Sequence, residues 1–597
     1  MKENKLQQIK SLIRNTLRVL KIVWQFDKRY FFIRIFFEIT SVAFPTAIAG
    51  LSAIFINKLV AQEFTSLTDP TIIGVFALYI TLPLIFEITE LLDMLVSNKF
   101  TIFFDQYIYL FYIKKVDAVD LQTHEDSEFR NLFEKVKESY YKIMGTPDRL
   151  LFLFRHFLRM SVAIVIVSSQ AWWIGCILVL AFIPDFLVEI SFGERKWGIW
   201  DAQTQVKRKF WEIGSYFSHL EFIKEIRIFQ TAKKFINTLD SILTGFNTEN
   251  WTIEKKRSFW KIITSIIGYG VLIYITIYFL NSVITSVIAV GTFLFLIGRI
   301  TDLRFSLGGM FRSYAELSSN NLYINDILKF FDTPHALISG TRILGESTPI
   351  IHFDNVSFAY PKTEKVILKN LSFTLKAGEK IAIVGVNGAG KTTLVKLMMR
   401  LYDPTEGSIA LGDTPLTDID LHRYYNEIGF LSQEYAKYRL PLLEAIALGN
   451  ITHSIDREKV IESCKRAGAD EFISTWKDGY DSHLGKEFDG VEPSVGQWQK
   501  LALARLFYKN PRIWILDEPT SSIDAVAEMQ IFDELGKLPE DKTVILISHR
   551  FNTVKNADRI MVIENGSIVE FDSHANLMKK KSGQYKTLFE TQKESYE

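Results

Sequence analysis

Six apolar runs fill the first half of the chain, near residues 30–59, 71–96, 148–168, 171–192, 258–281 and 284–310. Each is long enough to cross a bilayer, which takes about 20 residues of helix. A segment that spans lipid must satisfy its backbone internally, so the first half is expected to be an all-helical membrane domain. With 597 residues the chain exceeds one hydrophobic core. Beyond about Asp332 the pattern changes to short apolar strands alternating with helices and Gly-rich turns, an α/β arrangement. The stretch "DTPHALISGTRILGESTP" between the halves is polar and turn-rich and reads as a linker. The expected organisation is an amphipathic N-terminal helix over 1–28, a transmembrane domain over 29–332, a linker over 333–348 and an α/β domain over 349–597.

Charge sets the orientation. The connections "AQEFTSLTDP", "SSQAW" and "NSVITS" hold no Lys or Arg. The N-terminus carries Lys2, Lys5, Lys10, Arg14, Arg18, Lys21, Lys28 and Arg29, and the long connections near 97–147 and 193–257 are also basic. The positive-inside rule then places the N-terminus, both long connections and the second half in the cytoplasm. The long connections hold few helix breakers, so the spans are expected to continue beyond the bilayer as helices; loops packed on the membrane surface are the alternative. "LIRNTLRVLKIVWQFDKRY" mixes basic and apolar residues at helical spacing, as in a helix lying on the inner surface or one in the cytosol.

Composition excludes several classes. Lys plus Arg is 69 against 68 Asp plus Glu, so bulk charge gives no case for nucleic acid. The two cysteines, Cys176 and Cys464, have no ligand spacing and support neither a disulfide framework nor a zinc site. No Cys lies near the N-terminus where a peptidase domain would need one, and no segment reads as a signal peptide.

"IAIVGVNGAGKTTLVKLM" is an apolar strand, a loop with Gly385, Gly390, Lys391 and Thr392 at phosphate-loop spacing, and a helical pattern. Its glycines let backbone N–H groups wrap phosphates, and the helix start adds positive potential. Lys391 would neutralise the β- and γ-phosphates, and Thr392 would bind Mg2+. "RIWILDEPTSSID" is a strand ending in two acids. Asp517 would hold Mg2+ through water and Glu518 would polarise the attacking water. A third strand, "TVILISHR", ends in His549, placed to contact the γ-phosphate.

In combination and order, GVNGAGKTT, FLSQE, SVGQ, WILDEP, SSID and ISHR resemble the ATP-binding cassette exporters with six spans and one nucleotide-binding domain in a single chain. The resemblance covers almost the whole chain. It implies ATP and Mg2+ as cofactors, held by the loop that includes Asn387, Gly388, Ala389 and Thr393. It implies that Tyr360 in "VSFAYP" stacks on adenine, that Gln433 senses Mg2+ and the membrane domain, and that Asp524, near Ser521 and Ser522, faces a partner subunit. It also implies that helices near 118–130 and 212–222 dock on nucleotide domains.

The family signature is usually Leu-Ser-Gly-Gly-Gln, capping ATP held by the other subunit. Here it is Pro493-Ser494-Val495-Gly496-Gln497. Ser494 keeps a hydroxyl, Gly496 keeps one close backbone approach, and Gln497 is retained. Val495 is the departure, since it adds a branched side chain where the backbone must come close to phosphate and adopts positive φ only at a cost. The contact is expected to survive in altered form, against the alternative that it does not close on ATP.

One nucleotide domain per chain implies a second half-transporter, in a homodimer or a heterodimer. "GQWQKLALAR" resembles the subgroup that exports lantibiotics and related bacteriocin peptides, which favours the homodimer. Glu87, Glu90, Asp93, Asp185, Glu189, Arg155, Arg159 and Arg299 fall within spans. Ionisable residues there are functional candidates for a cationic peptide, or they pair with one another, as Arg159 with Asp185 or Glu87. Three functions fit: a peptide exporter of the bacterial cytoplasmic membrane, a multidrug or lipid exporter, and a soluble ATPase, against which the six spans stand.

Overall fold

The computed structural model describes residues 5–63, 70–202, 204–334, 337–345, 347–452, 454–518, 525–548 and 554–594. The chain divides into two compact units, one of 1–118 with 128–333 and one of 119–127 with 334–597.

The first unit is helical throughout: α1 (Lys5–Phe26), α2 (Lys28–Val60), α3 (Pro70–Ala118), α5 (Ser127–Lys137), α6 (Gly145–Ser168), α7 (Trp172–Ala202), α8 (Thr204–Tyr216), α9 (Leu220–Ile228), α10 (Ala232–Ile284) and α11 (Val290–Phe331); α4 (Leu121–Glu125) belongs to the second unit. The spans do run on as long helices, and α10 reaches 53 residues. Five described helices are long and apolar enough to cross a membrane. The sixth expected span is not among them. Its helix, α11, begins at Val290 and carries Arg299, Asp302 and Arg304 within its apolar part. The helices expected near 118–130 and 212–222 appear as α4 and, slightly later in the chain, α9.

Small residues and polar pairs set the helix contacts, as expected where lipid gives apolar faces no reason to associate. Gly291 of α11 lies so close to α2 that a Cβ would stand 2.2 Å from the Ala53 carbonyl oxygen, and its N–H donates to Asn57 Oδ1 at 2.7 Å. Helices α7 and α10 pack through Ile174, Leu178, Phe182, Ile275 and Phe279. Helix α1 is pinned to α11 by Asn15–Asn321 at 3.0 Å and by the two bonds of Arg18 to Asp332 at 2.8 and 2.6 Å. Its other faces expose Ile9, Ile13 and Leu17 beside Lys10 and Arg14.

The charges within the spans are mostly paired. Arg34 contacts Asp93 at 2.5 Å and Asp148 at 3.5 Å, and the fully buried Glu38 accepts from Arg155. Glu189 takes Arg257 at 2.7 Å and Lys261 at 3.1 Å, Asp185 accepts from Thr264, and Arg299 pairs with Asp302 at 2.9 Å. Arg159 pairs with neither Asp185 nor Glu87, contrary to the expectation. Among the described residues it reaches only the Ser41 carbonyl oxygen, at 3.5 Å. Glu87 and Glu90 are exposed on α3.

The second unit has β1 (Ile351–Ala359), β2 (Val366–Leu375), β3 (Lys380–Val384), α12 (Lys391–Met398), β4 (Glu406–Leu411), β5 (Thr414–Pro415), α13 (Leu421–Glu427), β6 (Ile428–Leu431), α14 (Leu442–Ala447), α15 (Arg457–Arg466), α16 (Asp470–Ile473), α17 (Val495–Lys509), β7 (Ile513–Asp517), α18 (Ala525–Gly536), β8 (Thr543–Ile547), β9 (Arg559–Glu564), β10 (Ser567–Asp572), α19 (His574–Lys579) and α20 (Gln584–Glu594). An antiparallel sheet has the order β2-β1-β4-β5 and a second sheet the order β10-β9-β3-β8-β7-β6. Strands β9, β3, β8, β7 and β6 run parallel. Strands β7 and β8 are buried at every position, as a parallel sheet covered on both faces demands.

The Arg34–Glu38–Arg155 group gives a stability test. Glu38→Ala leaves two guanidiniums without their buried carboxylate and is expected to destabilise the helical unit by about 3–5 kcal/mol. The check is thermal unfolding in detergent, with Arg155→Ala on the Glu38→Ala background recovering part of the loss.

Candidate nucleotide site

Parallel register builds the site. Ile383 of β3, Ile547 of β8 and Asp517 of β7 share one row across the sheet, and Leu431 of β6 stands beside Leu516. The carboxyl ends of four strands therefore open on the same edge. In open α/β sheets that edge is where ligands bind.

The loop after β3 leaves Val386, Asn387 and Gly388 exposed and buries Ala389. Gly388 has φ +79° and Gly390 φ +107°, a region closed to most side chains. Gly390 caps α12 with no side-chain hydrogen bond, so the first N–H groups of the helix stay open to an anion. Lys391 is 8% exposed and donates Nζ–H bonds to the carbonyl oxygens of Gly385 at 2.8 Å and Val386 at 3.1 Å. The loop thus closes round its own ammonium. Burial pushes the Lys391 pKa down, while the charges of Glu518 and Asp517 pull it back up. Thr392 is exposed beside it, and Thr393 is buried.

Asp517 ends β7 and is buried. Burial first, and repulsion from Glu518 second, raise its pKa, with Lys391 opposing. A carboxylate held this unfavourably is suited to a cation, so Asp517 and Thr392 fit a Mg2+ accompanying a triphosphate. Glu518 takes φ +49°, a left-handed backbone that costs a residue with a Cβ about 1–2 kcal/mol. Its N–H donates to the Ile547 carbonyl oxygen at 3.0 Å, which fastens this turn to β8. Gln433 lies exposed two residues past β6. His549, Asp524, Ser521 and Ser522 fall outside the described residues.

Tyr360 follows β1. Its hydroxyl and Thr393 Oγ1 are hydrogen-bonded at 3.1 Å, and its ring meets Tyr402 edge-on at 5.4 Å. This fixes an aromatic face beside the first turn of α12, where a base could stack.

The signature opens α17. Ser494 is the N-cap, and a capping box joins its hydroxyl to the Gln497 N–H at 3.3 Å and its own N–H to Gln497 Oε1 at 2.9 Å. The Ser494 hydroxyl accepts in this bond and keeps its proton to donate. Val495 is the first helical residue, is not left-handed, and is 55% exposed. The expected backbone penalty is therefore absent. What remains is a branched side chain at the positive end of a helix. None of the bonds described at Ser494 or Gln497 reaches the phosphate loop; they serve their own helix.

Sequence reasoning missed several supports. Tyr435 donates to the Val495 carbonyl oxygen at 2.6 Å and steadies the start of α17. Buried Gln499 reaches the Glu518 carbonyl oxygen at 3.4 Å. Glu125, Lys396 and Tyr402 also meet near Tyr360. Tyr435, Gln499 and Lys396 lie two, two and five residues past Gln433, Gln497 and Lys391, whereas Glu125 and Tyr402 lie outside every motif.

The ABC transporter family model matches residues 368–521. The chain is 27% identical to the nisin transport ATP-binding protein NisT of Lactococcus lactis subsp. lactis, over 94% of this chain and 93% of that protein. It is 28% identical to the subtilin transport ATP-binding protein SpaT of Bacillus subtilis, over 96% of this chain and 94% of that protein. Similarity to the putative multidrug export ATP-binding/permease protein YgaD of Bacillus subtilis (strain 168) is 35% over 52% of this chain and 53% of that one. A solved structure of a bacterial Atm1-family ABC exporter with ATP bound has the same fold, with a TM-score of 0.81 at 21% identity, covering 95% of this chain and 98% of the other.

Two substitutions test the site. Glu518→Gln should lower ATP turnover by about 10²–10⁴-fold while ATP binding persists, measured by phosphate release and nucleotide retention; normal turnover would remove Glu518 as the base. Val495→Gly should raise turnover at saturating ATP if the branched side chain limits closure, and unchanged or lower turnover would show that it does not.

Proposed function

We propose a cargo for a chain that belongs to the ATP-binding cassette exporters and hydrolyses ATP: a lantibiotic-like or bacteriocin-like peptide, carried out of a bacterial cytoplasm by alternating access. One observation carries this reading. The matches to the nisin and subtilin transport proteins run through nearly the full length of both partners, membrane helices included. The cargo passes through those helices, so likeness there bears on the cargo more than likeness confined to a nucleotide domain. The second reading, a multidrug or lipid exporter, draws on the higher identity to YgaD and to the lipid A-core flippase of Coxiella burnetii, each over about half of this chain.

In this reading α11 supplies the sixth span, its Arg299 shielded by Asp302 and by Thr46, which accepts from Arg299 at 3.1 Å. The N-terminus, both long connections and the second unit are cytoplasmic in a bacterial inner membrane. ATP is held by Gly385, Asn387, Gly388, Ala389, Gly390, Lys391 and Thr393, with Tyr360 on its base. Thr392, Gln433 and Asp517 hold Mg2+. Glu518 orients the attacking water, and His549 meets the γ-phosphate. Ser494, Gly496, Gln497 and Asp524 serve ATP bound by a second copy, so the working unit is a homodimer. Supporting a second copy, α9 and its flanks leave Leu220, Ile228 and Phe229 at least 69% exposed, an apolar surface at a cytoplasmic turn that lipid does not reach.

The test is ATPase activity of the purified chain alone in lipid vesicles. A leader-bearing lantibiotic precursor should stimulate it severalfold. Stimulation by hydrophobic dyes or lipid A and not by the precursor would transfer the function to the second reading. No turnover from the chain alone would refute the homodimer.

A further inference from the structure

The turn 119–127, which joins α3 to α5, folds with the nucleotide-binding unit. Three of its carboxylates are engaged there. Asp120 accepts from the Leu337 N–H at 3.0 Å, Asp126 pairs with Lys362 at 2.5 Å, and Glu125 reaches furthest. Glu125 accepts from Lys396 Nζ at 2.7 Å and from the Tyr402 hydroxyl. Both partners bear on the nucleotide site. Lys396 lies on α12, five residues past Lys391, and its ammonium sits 5.4 Å from the Tyr360 ring centroid and 5.6 Å from that of Tyr402. Tyr402, 2% exposed, packs edge-on against Tyr360, whose hydroxyl is tied to Thr393 on the same helix.

Burial works against an ionised Glu125, but the bonds from Lys396 and Tyr402 outweigh it and hold the pKa below the usual range. Burial and the Glu125 bond push Tyr402 far up, so it remains a phenol that donates. At neutral pH one carboxylate therefore fixes a cation and an aromatic ring, and these two fix a second ring.

We infer that Glu125 is a positioning residue for ATP. Its bonds to Lys396 and Tyr402 hold the Tyr360 ring at its stacking angle, so that the affinity of the site for the base of ATP depends on where the 119–127 turn sits. The inference rests on the reading of Tyr360 as the adenine contact. It differs from a docking role for the turn, which would need only that the turn adhere to the unit. By linkage, a bound base in turn steadies the 119–127 segment.

The experiment uses the full chain in lipid and compares two probes, ATP and inorganic tripolyphosphate, which has no base. Glu125→Gln should weaken ATP binding and raise its KM by about fivefold or more, with kcat within twofold. Tripolyphosphate affinity should not change. Tyr402→Phe keeps the ring and deletes one bond, and should shift ATP in the same direction by less. Asp120→Asn removes a bond of the turn that does not reach the rings and should weaken ATP less than Glu125→Gln does; a larger effect than that of Glu125→Gln would overturn the inference. Equal loss of ATP and tripolyphosphate, or an unchanged ATP affinity in Glu125→Gln, would overturn the inference. Tyr360→Ala separates the two layers. If it leaves ATP affinity intact, the adenine assignment fails and the inference with it. If it weakens ATP while Glu125→Gln does not, the inference alone fails.

Discussion

The parallel register of β3, β8, β7 and β6 is the constraint on which the nucleotide site depends. Ile383, Ile547 and Asp517 stand in one row, so the loops leaving these strands begin at a common level. Lys391, Asp517 and Glu518 consequently come close enough to act on one another's charge. Each is unfavourable alone: an ammonium and a carboxylate are buried, and Glu518 is held with a left-handed backbone. The surrounding pairing overrules these costs, since the Ile547 carbonyl fixes Glu518 and the Gly385 and Val386 carbonyls fix Lys391. Local strain persisting in an over-determined frame is how a site is kept ready for charge that arrives with its ligand.

The helical unit solves a related problem. Its spans hold many ionisable groups, and lipid makes each one costly. Arg34, Asp93, Asp148, Glu38 and Arg155 form one connected group across α2, α3 and α6, while Glu189, Arg257 and Lys261 form another between α7 and α10. Such pairs add little net stability against apolar substitutes but penalise any helix register that separates them. They therefore specify which helix faces meet. Among the described residues Arg159 has no such partner, and Glu87 and Glu90 are exposed on α3. These three remain where a cargo or a second subunit could still change the balance.

What the sequence made legible was local. The phosphate loop, the strand-end acids and the signature are short runs whose chemistry depends on neighbours in the chain, and each fell at the strand or helix end its spacing implied. The apolar runs gave the helices but not the behaviour of α11, where Arg299, Asp302 and Arg304 break the pattern within a helix that continues regardless. The backbone part of the objection to Val495 fails, since the Ser494–Gln497 capping box places Val495 at ordinary helical φ, while the branched side chain at the helix start remains. Pairings between distant residues left no trace. Arg159 was matched to the wrong acids, and Glu125 meets Lys396 across 271 positions with no local pattern to mark either.

That last contact shows why a fold legible from motifs leaves its transmission illegible. Motif residues carry chemistry suited to phosphate, metal and base, and that chemistry ties them to short recognisable runs. Residues that hold the motif residues in place are constrained only by each other. Glu125 needs a cation and a donor, and any pair of such groups at the right separation would serve. Lys396 and Tyr402 supply them because α12 and the chain just after it already pass beside the Tyr360 ring. The turn 119–127 thus meets, at Lys396, the same helix whose first N–H groups are open to an anion, and about two helical turns separate the two ends of α12.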